Sequence, residues 1–172
     1  MHPLAELAKS AVETFVTRGE TIAPTENMPP QYIDKRAGVF VTITQNGELR
    51  GCIGTHAPTQ KNIATETIHN AIEAATSDPR FTPVEAIDLA SLKYEVYILE
   101  KLEPVEVLTD LDPKVFGVFV IGMRSNGRGL LLPGLEGIDT IKQQLSIACE
   151  KAGINPTQEK LAIYRFGAEK VS

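Results

Sequence analysis

Two short segments, Gly38-Val39-Phe40-Val41 and Gly117-Val118-Phe119-Val120, each run into an Asn-Gly pair, at Asn46-Gly47 and Asn126-Gly127. Val and Phe favour extended backbone. Asn-Gly accepts the positive φ of a tight hairpin turn. Each segment therefore reads as the first strand of a β-hairpin. Gly54 and Gly134 follow at matching places if the second hairpin carries one inserted residue. Each hairpin precedes a helical pattern and then another strand, and the offset of about 80 residues is far too long for a solenoid repeat. The order predicts a duplicated α+β unit, over about 38–100 and 117–167, building one largely antiparallel sheet in a single domain of residues 1–172. The alternative is a coincidental likeness between two Val-rich hairpins.

The remaining periodicities place the elements. Leu4, Leu7, Ala8, Ala11, Val12, Phe15 and Val16 recur at helical spacing, giving an amphipathic helix that ends near Gly19. Residues 20–37 contain Pro24, Pro29 and Pro30 and read as a loop. The first hairpin pairs Gly38 to Thr44 with Glu48 to Ile53. A helix follows from about Gln60 to Thr76, with Ile63, Ala64, Ile68, Ala71, Ile72 and Ala75 as its stripe, between Pro58-Thr59 and Ser77-Asp78-Pro79. Leu92 to Glu100 alternates like a strand, and 103–114 is an Asp-, Glu- and Pro-containing loop. Strands are expected at Val115 to Met123, Gly129 to Leu132 and Leu161 to Phe166, and a helix from Ile138 to Ala152.

The copies differ at Leu49-Arg50-Gly51-Cys52-Ile53-Gly54. The matching stretch of the second copy, aligned through Gly54 and Gly134, is the apolar Leu130-Leu131-Leu132-Pro133. In a regular strand, side chains alternate. Leu49 and Ile53 would then share one face and Arg50 and Cys52 the other, with Gly51 and Gly54 leaving open backbone beside the pair. This difference marks the first copy as the functional one.

Bulk properties exclude several classes. The net charge is −5 and the pI about 5.3, with no Lys/Arg run, so a general nucleic-acid surface is not expected. No apolar run suggests a membrane span. Met1-His2-Pro3 opens without a basic region, and Glu6 and Glu13 interrupt the apolar positions that follow, so no signal peptide is expected and the location should be cytoplasmic. Cys52 and Cys149 are too few for a disulfide framework. No Cys-x-x-Cys, His-Glu-x-x-His or three-cysteine cluster points to a metal or iron–sulfur centre. Gly51-Cys52-Ile53-Gly54 lacks the Gly-Lys-Ser/Thr ending of a phosphate loop, and Gly127-Arg128-Gly129 is a hairpin tip. No cofactor is expected.

The hexapeptide resembles the signature of the AMMECR domain family, whose prokaryotic members are called AmmeMemoRadiSam system protein A. Ala74-Ala75 with Asp78-Pro79-Arg80-Phe81-Thr82-Pro83, Leu92-Lys93-Tyr94-Glu95-Val96, Gly129-Leu130-Leu131-Leu132-Pro133 and Ala148-Cys149-Glu150-Lys151-Ala152-Gly153 resemble its further blocks, so the likeness covers nearly the whole chain. It implies duplicated repeats sharing a barrel-like sheet. It also implies association with a Memo-like protein and a radical-SAM protein. The family's biochemical activity is unsettled, so the likeness implies a fold and a site and no reaction. Two features depart from the family: the chain has no Trp, and His56 is not the usual residue after the signature.

Within this frame Cys52 is a nucleophile, a thiolate ligand or a carrier of a transferred group, with Arg50 lowering its pKa; or it is a half-buried structural cysteine. Arg50 grips an anionic ligand or a partner's carboxylate, or pairs internally with an acid such as Glu48 or Asp78. Asp78 and Arg80, at the end of the second helix, either reach the signature face or serve only as a helix stop, with Phe81 in the core. Cys149 lies on an apolar helix stripe and reads as core. His56 as a base for Cys52 is a weak pairing, since no orienting acid is evident. Two functions remain open. One is a binding or accessory module acting through Arg50, Gly51, Cys52, Gly54, Asp78 and Arg80. The other is an enzyme using Cys52 with Arg50 on a small anionic or carrier-bound substrate. Only one potentially reactive side chain has a physical warrant, which favours the module.

Overall fold

A computed structural model describes residues 1–172. Its elements are α1 (Pro3–Arg18), α2 (Pro30–Asp34), β1 (Val39–Gln45), β2 (Glu48–Gly54), α3 (Ile63–Thr76), β3 (Leu92–Leu99), β4 (Glu103–Pro104), β5 (Gly117–Gly122), β6 (Arg128–Leu131), α4 (Ile141–Lys151), β7 (Leu161–Phe166) and β8 (Ala168–Val171). The chain divides into two compact units, Met1–Leu99 with Glu169–Ser172, and Glu100–Ala168.

In the first unit a four-stranded antiparallel sheet runs in the order β2-β1-β3-β8. Val39, Val41 and Ile43 of β1 and Leu92, Tyr94, Val96 and Ile98 of β3 point to one face and are buried. The apolar stripes of α1 and α3 cover them: Leu4, Leu7, Ala8, Ala11 and Val12 from one, Ile63, Ala64, Ile68, Ala71, Ile72 and Ala75 from the other. α3 begins at Ile63 rather than Gln60. Asn62 and Thr65 form a reciprocal capping box, and the Thr59 and Gln60 N–H groups donate to Glu66 instead of entering the helix. The 20–37 stretch contains the short α2, whose Tyr32 is buried.

The second unit has its own four-stranded sheet, in the order β4-β7-β5-β6. Val118, Val120 and Leu131 pack against Ala148 and Cys149 of α4. Thr140 and Gln143 cap α4 by the same reciprocal device, so that helix starts at Ile141 and not Ile138.

The expectation of one shared, barrel-like sheet is corrected to two separate sheets with no closed barrel. The reason lies in two polar, short strands whose alternation is too brief to read from sequence. β8 pairs along the outer edge of β3, and β4 along that of β7. A strand has two hydrogen-bonding edges, and with both taken neither β3 nor β7 can join the sheets. The residue matching between the copies also shifts. Phe40 faces Gly54, whereas Phe119 faces Leu130. The second hairpin closes over a shorter stretch of chain, and Leu130 stands where Gly54 does, not where Arg50 does.

Candidate functional site

β2 is an edge strand, and its pairing with β1 contains a β-bulge. Ile43 faces Gly51 but Thr44 faces Leu49, leaving Arg50 as the extra residue. A one-residue slip exchanges the faces. Ile53, opposite the buried Val41, points to the core, while Leu49, opposite Thr44, points to the same side as Cys52, opposite Thr42. The expectation that Leu49 and Ile53 share a face therefore fails, because the bulge breaks the alternation on which it rested.

The bulge also redirects Arg50. Its Nη1 donates to the Thr82 carbonyl at 2.7 Å, and its Nη2 to the Pro83 carbonyl at 3.3 Å and the Asp88 carboxylate at 3.5 Å. The side chain is 14% exposed. Asp88 is the internal acid, not Glu48 or Asp78. Its carboxyl is held below the usual range by the Glu85 N–H, then Gln45 and then Arg50. Arg50 thus ties the loop after α3 to the hairpin.

The edge of β2 is covered by two side chains acting as a neighbouring strand would. The Cys52 N–H donates to Asp78 Oδ2 at 2.9 Å, and the Cys52 carbonyl accepts from Arg80 Nη2 at 3.3 Å. Asp78 and Arg80 are themselves joined in a fork, Nε to Oδ1 at 3.0 Å and Nη2 to Oδ2 at 2.7 Å. Burial pushes the Asp78 carboxyl up. Hydrogen bonds from the Arg80 side chain, the Cys52 N–H and the Arg80 N–H outweigh that and hold it at about 2. The Arg80 guanidinium is raised, first by Asp78, with the Cys52 side chain adding in the same direction. The cation that meets Cys52 is not Arg50 but Arg80, at the backbone carbonyl. Its side chain is 50% exposed and lies over the Phe81 ring, which is half-buried rather than core.

Cys52 itself is half-buried, and its Sγ lies 3.3 Å from the Thr42 hydroxyl. Glu95 stands on the far side of Thr42, engaged by Lys170 at 2.8 Å and by the Tyr97 hydroxyl at 3.3 Å. His56 lies beyond the strand end and is exposed.

The two glycines of the signature do not leave open backbone. A Cβ on Gly51 would lie 2.1 Å from the Ala74 carbonyl oxygen of α3, and one on Gly54 2.2 Å from the Phe40 ring. Both spaces are filled by the protein. Gly51 lets α3 press on the sheet, and Gly54 lets Phe40 lie across β2.

Sequence reasoning did not find Glu66. It is fully buried in α3 and accepts from the Thr55 and Thr59 hydroxyls and the Thr59 and Gln60 N–H groups at 2.6–2.8 Å. Burial raises its pKa, but these bonds more than offset that and leave the carboxyl lowered. It fastens the loop leaving the signature. A glutamate on an otherwise apolar helix face, after two threonines, was the available signal.

Cys149 is buried, as expected, and burial pushes its thiol up, with the Glu159 charge adding to the effect. Two cavities lie elsewhere. One, of about 420 Å3, lies between α1 and α3 and includes Phe15, Ile68 and His69. The other runs along α4. Neither is lined by Arg50, Cys52, Asp78 or Arg80. No group of three or more His, Cys, Asp or Glu could hold a metal ion, and no helix is long and apolar enough to cross a membrane.

Comparison with known proteins agrees with this architecture. A protein of Thermotoga maritima is 47% identical over 171 residues, covering 98% of this chain and 97% of the relative. A protein of Clostridium acetobutylicum is 41% identical over 169 residues, which is 95% of this chain but 34% of that longer protein. The crystal structure of an uncharacterized protein from Pyrococcus horikoshii superposes with a TM-score of 0.87 at 33% identity, covering 97% of this chain and 88% of the other. The AMMECR1 family model matches residues 5–171, and the chain belongs to that family.

Proposed function

We propose that this protein is a cytoplasmic binding or accessory module that meets its partner through the outer side of β2, with Cys52 and Arg80 as the recognition groups. The observation that carries this reading is the surroundings of the thiol. Its hydrogen-bond partner is the Thr42 hydroxyl, which is not a base, and the nearby Glu95 carboxylate is already engaged by Lys170 and Tyr97. Nucleophilic catalysis needs a base in contact and a group to orient it. Arg50, Gly51 and Gly54 are occupied by the protein's own atoms and serve to hold β2 in place. The family resemblance makes a Memo-like protein and a radical-SAM protein the partners to test. The Clostridium relative, which joins a matching segment to a longer chain, supports a domain that works beside another.

The second reading is an enzyme in which Cys52 works with Arg80, rather than Arg50, on a small anionic or carrier-bound substrate. It is favoured by the contact of Arg80 Nη2 with the Cys52 carbonyl at 3.3 Å, which brings the guanidinium to this residue. The same two sets of hairpin, helix and strand are also read as copies of one ancestral unit within one domain. The paired positions Phe40–Tyr97 and Phe119–Tyr164 support this.

Complementation of a deletion strain separates the two functions. A module retains activity as Cys52→Ser, whose hydroxyl keeps the size and the polar contact with Thr42 that recognition uses, and loses it as Arg80→Lys, with titration calorimetry showing weakened binding to the purified Memo-like protein. Loss of complementation by Cys52→Ser, with an unchanged melt and intact partner binding, would establish chemistry at the thiol. Metabolite profiling of that strain would then identify the accumulating substrate.

A further inference from the structure

The second unit carries a feature unrelated to the signature. Ile141, Leu145 and Cys149 stand on successive turns of α4. With Leu108, Pro156 and Leu161 they line an apolar groove of about 580 Å3. That volume falls within the roughly 300–1,000 Å3 common to small-molecule sites. Its one charged lining residue is Lys142. Lys142 is exposed and makes no ion pair or hydrogen bond, and the nearby Asp139 is paired with Lys114 at 3.4 Å. Lys142 also sits in the first turn of α4, where the helix's positive end adds to the same potential. An unpaired cation beside an apolar groove, in a chain of net charge −5, complements a single anionic group with an apolar body.

We propose that this groove binds an amphiphilic monoanion of the medium-chain carboxylate class. The head group meets the Lys142 ammonium, and the tail lies along Ile141, Leu145 and Cys149. α4 rises about 12 Å between Ile141 and Cys149, enough for a chain of decanoyl length. The floor is suited to a tail because the Cys149 thiol is buried and kept neutral. A wholly apolar ligand would make no use of Lys142.

The test is methyl NMR of the full chain titrated with decanoate below its micelle concentration, beside decanol. Saturable shifts confined to the Ile141, Leu145, Leu161 and Leu108 methyls are expected. Lys142→Glu should weaken decanoate by about fivefold or more, the worth of one exposed charge contact, and leave decanol unchanged. Ser146→Phe, which fills the groove from an exposed position, should weaken both, while the dispersed Val118 and Val120 methyl resonances of the same unit's core report that its fold is intact. Absence of saturable shifts, shifts elsewhere, or equal weakening of both ligands by Lys142→Glu overturns the proposal. So does ligand-free broadening of the same methyls that disappears on dilution, which would make a second copy of the chain the occupant.

Discussion

Replacing Asp78 by Asn removes one negative charge while keeping the size of the side chain and an oxygen that can accept from the Cys52 N–H. The structure supplies the magnitude. The carboxyl is depressed from 3.8 to about 2 in the folded protein. At about 1.4 kcal/mol per tenfold change in proton affinity, this is worth about 2 kcal/mol. The Asp78 side chain is 2% exposed, so solvent screens little of it. Because the folded value lies below the unfolded one, the contribution is fully present above about pH 4. It is lost as pH falls toward 2, where the folded carboxyl takes up its proton. Urea unfolding of Asp78→Asn at pH 7 should therefore show a loss of about 2 kcal/mol, or about 4–8 °C in Tm for a chain of this length. The gap to wild type should close between pH 4 and pH 2. Glu66, Asp88 and Glu159 are also lowered, but they titrate in both proteins and cancel in the difference. Equal stability at pH 7 would refute the reasoning. A gap that stays constant down to pH 2 would show that it comes from shape and not from charge.

Three other outcomes follow from the same geometry. Gly51→Ala should cost about 1–3 kcal/mol in urea unfolding, because its Cβ would press on a helix carbonyl that cannot rotate away; a variant as stable as wild type would mean that α3 does not bear on β2. Arg50→Ala should lower stability by about 1.5–3 kcal/mol, since the Thr82 and Pro83 carbonyls lose a charged donor; an unchanged melt would return Arg50 to the list of ligand-binding residues. Iodoacetamide at neutral pH, followed by peptide mapping, should label Cys52 before Cys149, because Cys149 is 2% exposed and its thiol is raised, and both should label alike in urea. Faster labelling of folded Cys149 would contradict the burial described here.

The limits of sequence reading are clearest at β2. Local patterns suffice for the hairpin, for the buried faces of β1 and β3 and for the stripes of α1 and α3, because strand and helix periods are set by covalent geometry and bury every second or every third to fourth residue. The same reasoning singles out Arg50, Cys52, Asp78 and Arg80, since guanidinium, thiol and carboxylate among glycines are costly choices for a packing strand. It assigns the partners wrongly. The bulge at Arg50 exchanges the faces, sends that side chain to Asp88 and leaves Arg80 beside Cys52. A bulge adds one residue to one strand of a pair and leaves no period in the chain. The spaces over Gly51 and Gly54 are filled by Ala74 and Phe40, and a glycine in a sequence does not say whether ligand or protein will occupy the room it leaves. The division into two sheets rests on β4 and β8, strands too short and polar to announce themselves, which form because the open edges of β7 and β3 offer unpaired backbone groups. What the sequence by itself determined was the longer helices and strands and, outside β2, their apolar faces; the short α2, β4 and β8, and which side chains meet, were decided by tertiary packing, because they depend on register and on edges that form only when distant strands pair.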